Sequence, residues 1–486
     1  MATQPRRPTT TRRAASLILV GHGSHLSADS SAPVYAHAAR IRALGVFDEV
    51  LEAFWKEEPC LRDAIDLTVG DDVWIVPVFL AEGYFTRQVV PRELGLDGPL
   101  LAPGRRRIRY CPPVGTHPAM ADLILARARA TAELDPAAHE RAALLVIGHG
   151  TDRSETSGDT LYGLVDQLRR TSGFGLVECG FLDEEPSIAS VLDTVRAEHV
   201  VLVPFFVAEG WHTRSTIPQD LGLEGAVTVR DGMTLWYTPP VGTMDEISAT
   251  ILAICSDNGA VLGPPSRVAD REPQTELARA RSSFLERLAM APPDGIEFLQ
   301  LRIEVDAARG QFRLRNARDS GLTEESLIRY CDPEAALEVA RATGSGAYRP
   351  LRFAADLRHG WILTGLNVDG LWRALDLLYP GAVLHWSRML QDRIETVPFT
   401  RWAARQTGIY SGVRDLPLDR LSTVVRSCCE RRECLRTRSW EAEELKNTGN
   451  AVNRVPCVEP CTLFAGAARE LLDSNDACHS RPASSA

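Results

Sequence analysis

Two uninterrupted apolar runs, at 17–20 and 144–147, each stop at the tripeptide Gly-His-Gly. A run with no polar alternation reads as a strand covered on both faces, and the glycines after it as a tight turn. Behind each run the chain repeats one pattern. A helical stretch leads to a second strand at 50–54 or 177–181, and another leads to a strongly apolar strand at 73–80 or 200–207. Alternating strands and helices predict a parallel sheet with helices on both faces. The pattern changes after residue 255. Residues 256–275 are rich in Gly, Pro, Ser and charge and read as a linker. Beyond them we expect an amphipathic helix at 276–290 and two strands around a turn at 296–316. A helical pattern covers 327–343, its start marked by Asp332-Pro333, and a strand (353–365) and a helix (371–386) follow. The expected fold class is α/β: two duplicated half-domains with parallel sheets flanked by helices, then a small α+β domain and a Cys-rich cluster-binding segment.

The two halves of the first region are copies of one another. His22 falls on His149 at an offset of 127 residues, and the same offset carries Glu57 to Glu184, Glu82 to Glu209, Arg87 to Arg214 and Gly115 to Gly242 without a gap. Over 73–96 against 200–223, thirteen of 24 positions are identical. Unrelated sequences of ordinary composition share about one or two, so the likeness is a duplication. The expected organisation is a disordered tail at 1–15, repeat one at 16–128, repeat two at 141–255 and the linker at 256–275. An α+β domain at 276–400, a cysteine domain at 401–472 and a tail at 473–486 complete it.

Ligands of open α/β sheets bind beyond the carboxyl ends of the strands. His22 and His149 stand there, as do Glu82 and Glu209, and His212 follows Glu209 by three residues. Neutral imidazole suits cobalt, iron and nickel, and a His or a carboxylate can take protons near neutral pH. Flanking glycines such as Gly150 and Gly210 let a flat ligand approach the backbone, and Arg214 suits a carboxylate-bearing one. The second repeat holds both His149 and His212, whereas the first has His22 but Phe85 at the counterpart of His212. This asymmetry assigns metal handling to the second repeat, with Glu184 or Glu209 as supporting carboxylate and His22 as an auxiliary group. The plain alternatives are a turn histidine satisfied by backbone, glutamates stabilised at helix N-termini and solvated arginines. Two copies of Gly-His-Gly after matching strands weigh against the first of these.

Composition narrows the class. With 44% hydrophobic and 24% charged residues the chain is ordinary for a globular protein. A net charge of -10 argues against nucleic acid as partner, and no apolar run approaches the roughly 18 residues of a membrane span. Of 11 cysteines, five lie within 428–461. That pattern fits clustered ligands in a reducing cytoplasm better than a secreted disulfide framework. Cys428 or Cys429 with Cys434, and Cys457 with Cys461, supply four thiolates in two pairs. Such a set can hold a [4Fe–4S] cluster or a structural zinc.

The strand–GHGS opening, the segment VPFFVAEGWHT (203–213) and the PPVGT block (239–243) resemble the CbiX and SirB sirohydrochlorin chelatases, class II enzymes that work without ATP. The resemblance spans about residues 16–250. It implies insertion of cobalt or iron into sirohydrochlorin, in cobalamin or siroheme synthesis, with release of two protons. It maps the family's two metal-contacting histidines onto His149 and His212, and a supporting carboxylate onto Asp183, Glu184 or Glu185. The implied catalytic set is His149, His212, Glu184 and His22, with Gly150, Glu209, Gly210 and Arg214 toward the tetrapyrrole. Many long members carry the complete histidine pair in the first half; this sequence departs from them. The cysteine-rich end resembles the iron–sulfur extension of long, Deinococcus-type members, which implies that 276–400 is a stabilising domain and that four of Cys428, Cys429, Cys434, Cys457 and Cys461 bind the cluster. A tetrapyrrole- or metal-binding carrier, and an iron–sulfur redox protein, are the rival readings; oligomeric state stays open.

Overall fold

The computed structural model describes residues 14–96, 106–131, 139–150, 158–264, 275–391, 393, 399–406, 408–438, 457 and 460–479. The chain forms two compact units, Met1–Thr275 and Glu276–Ala486. In the first unit the strands β1 (Ala15–Gly21), β2 (Glu49–Phe54), β3 (Asp72–Pro77) and β4 (Arg107–Tyr110) form a parallel sheet in the order β2-β1-β3-β4. The second sheet repeats this with β5 (Ala142–Gly148), β6 (Leu176–Phe181), β7 (His199–Pro204) and β9 (Met233–Tyr237), ordered β6-β5-β7-β9. One further strand, β8 (Val227–Arg230), adds an antiparallel edge through a hairpin.

Leu17, Ile18, Leu19 and Val20 are all fully buried, as are Leu144 to Ile147 in the second copy, so both faces of each central strand are covered by helices. The third strand of each copy is shorter than expected. It ends at Pro77 or Pro204, with a last bond to the central strand from the next amide, Val78 to the Val20 carbonyl or Phe205 to that of Ile147, both at 2.8 Å. The helices obey the same chemistry. Ala32–Leu44 starts with Pro33 in its first turn and stops at Gly45, whose φ of 61° is left-handed. Asp159–Thr171 buries Leu161, Leu164, Val165 and Leu168, the i, i+3, i+4, i+7 stripe of an amphipathic helix.

The two copies pack with pseudo-twofold symmetry. The first helix of each copy, Ala32–Leu44 or Asp159–Thr171, lies against the last helix of the other, Ile247–Asp257 or Ala119–Thr131. Buried His37 bonds the Gly242 carbonyl at 2.8 Å, and Arg127 reaches Thr243 Oγ1 at 3.0 Å. Gly242 itself has no room for a side chain: a Cβ there would stand 2.4 Å from the Val207 backbone.

The second unit holds a five-stranded sheet, β10-β11-β12-β14-β13, formed by Ile296–Phe298, Leu301–Asp306, Gln311–Asn316, Trp361–Leu366 and Ile328–Tyr330 respectively. Segment 296–316 thus makes three strands rather than two. The helix expected over 327–343 is largely absent. Ile328–Tyr330 instead pairs in parallel with β14, and Asp332 caps a helical turn beginning at Pro333 that continues as Ala336–Ala340. The apolar period of 327–343 is shared between a largely exposed edge strand and a short helix, which periodicity alone does not separate. Helix Glu276–Ala289 packs on Ala382–Leu390, with Phe284 against Trp386. Among the described residues no helix is long and apolar enough to cross a membrane.

Candidate functional site

Both Gly-His-Gly turns are built alike. Gly23 and Gly150 have φ of 68° and 70°, a conformation that side chains disfavour. In that turn the imidazole folds back so that Nδ1 of His22 lies 2.8 Å from the Gly23 carbonyl, and Nδ1 of His149 lies 3.0 Å from the Gly150 carbonyl. A carbonyl only accepts, so Nδ1 carries the proton and donates. The lone pair is left on Nε2, the arrangement that a metal-binding histidine uses.

His212 arrives from the next strand over. After β7 the chain makes one turn of π-helix, His212–Thr216, before helix Ile217–Leu221. Such widened turns are frequent at functional sites. Two bonds hold this one: Thr213 Oγ1 accepts from the Gly210 amide at 2.9 Å, and the Tyr237 hydroxyl donates to the Thr213 carbonyl at 2.7 Å. The rings of His149 and His212 stand 4.9 Å apart, edge to face. Asp183 Oδ2 lies 3.5 Å from His149 Nδ1. Two imidazoles and one carboxylate therefore meet at the carboxyl ends of β5, β6 and β7.

Burial first, and then the neighbouring His149 imidazole, pull the pKa of His212 below the ordinary histidine value, while Asp183 holds it up. The neutral form is favoured, so His212 takes up its proton at lower pH than a free histidine does; any stability linked to it is present above 6.5 and is lost as pH falls below. In a histidine-resolved NMR titration the His212 signal should inflect below 6.5. In Asp183→Asn it should move lower still, since the one neighbour that favours the cation is gone; an upward move would contradict the assignment.

The carboxylate beside the pair is Asp183, one of the three that the sequence left open, Asp183, Glu184 and Glu185. The Glu184 carboxylate lies by Gly158 instead, within 2.9 Å of where a Cβ would stand. Glu184 packs its Cβ against Gly150, and Asp183 brings its carboxylate to the His149 ring. Glu209 and Arg214 are brought together, Oε2 to Nη2 at 2.9 Å, and Arg214 Nη1 also bonds Asp29 Oδ2 of the first repeat at 2.7 Å. Gly210 closes the turn below them, its carbonyl accepting from the Arg214 amide. His22 does not join the pair. Its ring packs edge-on to Trp55 at 5.2 Å and against Phe85 at 5.6 Å. It keeps an exposed edge, but the protein crowds it, and this desolvation lowers its pKa against the Gly23 bond, with Lys56 adding to the fall. Sequence reasoning missed Asp29, Lys56 and the exposed Trp211. The signal for Lys56 was available: it occupies the position of Asp183 at the same offset of 127.

In the second unit, Cys428 and Cys429 lie buried on the π-helical turn Arg426–Glu430, and Cys461 immediately precedes helix Thr462–His479. The Cys428 thiol is in hydrogen-bond contact with both Cys429 and Cys461. The Cys434 amide bonds the Cys429 carbonyl at 3.1 Å, and Cys457 is buried. The neighbouring Cys429 sulfur and burial together push the Cys428 thiol up to about 12. A crowded thiol of this kind becomes a thiolate when a cation compensates it; Cys428, Cys429 and Cys461 are the sulfurs brought into contact, and among the described residues no three His, Cys, Asp or Glu already stand arranged around a metal position.

The comparisons with known proteins match this geometry. The CbiX family model covers residues 16–131 and again 143–257, one copy per sheet. A probable sirohydrochlorin cobaltochelatase of Halobacterium salinarum is 40% identical over 271 residues, which is 51% of this chain and 92% of that protein. The chain belongs to the CbiX family. A sirohydrochlorin cobaltochelatase of Methanococcus aeolicus is 28% identical over 136 residues, 23% of this CbiX chain and 94% of that protein. The second unit matches the model of the DR2241 stabilising domain at 288–390 and that of a 4Fe-4S iron-sulfur cluster binding domain at 391–470. The crystal structure of DR2241 from Deinococcus radiodurans, described as multi-domain with structural similarity to chelatases and two additional novel domains, aligns at a TM-score of 0.79. It is 29% identical over 95% of this chain and 100% of that one. This CbiX chain is thus of the long, three-part kind.

Proposed function

We propose that the chain inserts a divalent metal ion into a sirohydrochlorin-type tetrapyrrole without ATP, and that His149, His212 and Asp183 are the metal-handling residues. The observation that carries this reading is the facing imidazole pair, with His149 Nε2 left as the free lone pair and Asp183 behind Nδ1. The incoming ion is a substrate. It would be met by the two imidazoles and complete its shell with water, then with pyrrole nitrogens. Each ion inserted displaces two N–H protons from the macrocycle. Imidazoles relieved of the metal have two vacant lone pairs for those two protons. The depressed pKa of His212 would make it a relay to solvent rather than a proton store.

Cobalt is the ion in the names of the two relatives above, and imidazole accepts cobalt and ferrous ion alike. We infer cobalt as the preferred substrate, which would place the step in cobalamin rather than siroheme synthesis. We also propose that Cys461, Cys457, Cys434 and one of Cys428 and Cys429 hold a [4Fe–4S] cluster. Such a group supplies one-electron chemistry at a potential set by its surroundings. The test is an anaerobic assay of the intact chain with sirohydrochlorin and either Co2+ or Fe2+, following visible absorption. We expect acceleration well above the spontaneous rate, larger with cobalt. Tight macrocycle binding without acceleration by either ion would favour a carrier.

A further inference from the structure

The first repeat keeps the scaffold of the metal site while its chemistry is inverted. The backbone equivalence is close. The Lys56 amide donates to the His22 carbonyl at 2.9 Å, as the Asp183 amide donates to the His149 carbonyl at 2.9 Å. The Tyr110 hydroxyl holds the Thr86 carbonyl at 2.6 Å, as Tyr237 holds that of Thr213. On this shared frame Phe85 stands for His212, Lys56 for Asp183 and Trp55 for Leu182.

The result is an aromatic nest. Trp55 and Phe85 meet at 5.0 Å, Phe79 and Phe85 at 5.3 Å, and His22 touches Trp55 and Phe85. The Lys56 ammonium sits 3.9 Å over the Trp55 ring. Trp55, Lys56 and Phe85 are all partly open to solvent. The first repeat lacks the second imidazole and the carboxylate beside it and carries an ammonium in their place, while the carboxylates of Glu57 and Glu58 next to Lys56 are buried. A divalent cation finds one imidazole instead of two there, and an ammonium where the second repeat offers the Asp183 carboxylate. A flat π-system with carboxylate arms is favoured, by ring packing and by the ammonium. The loops that carry the two sites are joined by an ion pair: Arg214, two residues beyond His212, bonds Asp29 in the loop that follows His22.

We propose that His22, Trp55, Lys56 and Phe85 form a macrocycle-holding site that excludes metal, taking the face and a carboxylate of the anionic tetrapyrrole while the second repeat delivers the ion. This rests on the chelatase reading above. It makes the duplication a division of labour: one copy keeps the ligands, the other has become a platform.

The test uses the full chain with its cluster and two readouts that need no turnover: metal-free sirohydrochlorin binding by equilibrium dialysis, and bound Co2+ per chain. Lys56→Met and Trp55→Ala should each weaken macrocycle binding about tenfold and leave cobalt stoichiometry unchanged. The double variant Lys56→Asp/Phe85→His, which rebuilds the second-repeat set, should bind one more Co2+ per chain than the parent in the same preparation. His212→Ala should do the reverse of Lys56→Met, losing cobalt and keeping the macrocycle. If the parent binds and inserts normally while Lys56→Met and Trp55→Ala bind the macrocycle within twofold of it, this inference is overturned and the chelatase reading stands. If the parent neither binds the macrocycle nor inserts metal, both fall.

Discussion

Replacing His212 with alanine is expected to lower kcat/KM for metal insertion about a thousandfold, which corresponds to about 4 kcal/mol of lost transition-state stabilisation. The ring is half-buried on a π-helical turn held by Gly210, Thr213 and Tyr237, to which the imidazole adds only a long 3.4 Å approach of Nδ1 to the Thr216 hydroxyl. Folding should therefore survive, and the thermal midpoint should stay close to that of the parent. His149→Ala should do the same, since either change leaves one imidazole where the ion needs two. His22→Ala removes a ring packed on Trp55 and Phe85 and no partner of the pair, so it should cost no more than about tenfold. The comparison is made by stopped-flow absorption with cobalt in excess. If His212→Ala stays within threefold of the parent while His22→Ala is inactive, the metal side of the cleft lies in the first repeat and the assignment is reversed.

Much of this arrangement was legible in the chain. The central strands could be read because a strand covered on both faces has to be apolar at every position, as 17–20 and 144–147 are. The duplication could be read because its register is unbroken over the matched span, and the register alone exposed Phe85 opposite His212. What the register could not tell was direction. Asp183, Glu184 and Glu185 are consecutive, all acidic and all at the end of β6; only the path of the loop decides that Asp183 faces His149 while Glu184 turns to Gly158. The reach between repeats was hidden for the same reason. Asp29 and Arg214 are 185 residues apart and meet only once the two copies are packed. In the second unit the failure was one of length. Runs as short as 296–298 and 328–330 carry too few alternations to be told from turns or helix ends, and pairing with β11 and β14 makes them strands.

The cysteine segment gives the last expected result. Cys461→Ser should reduce the iron and acid-labile sulfide of the anaerobically purified chain from about four per chain to near background, and abolish the broad visible absorption of the cluster. The reason is geometric. Cys461 lies at the start of helix Thr462–His479, in contact with Cys428, so it joins the two segments that carry the thiols. Cys428 and Cys429 cannot both complete a four-thiolate set with Cys434, Cys457 and Cys461. Separate serine substitutions should therefore give unequal results, one losing the cluster and the other keeping it. The loop that carries Cys434 is pinned to the α+β part of the unit, the Leu435 amide bonding the Phe353 carbonyl at 2.6 Å and the Arg436 guanidinium lying 4.6 Å over the Phe353 ring. Loss of the cluster should thus lower the unfolding midpoint of this unit without unfolding the chelatase sheets, whose strands are buried in cores of their own. Stoichiometric zinc in place of iron in the parent, or full iron and sulfide in Cys461→Ser, would overturn the cluster assignment. Insertion activity of the cluster-free chain then separates the two uses such a group could have: unchanged turnover makes it a staple of the second unit, and turnover that follows its oxidation state in the parent makes it a sensor for the reaction next door in the sequence.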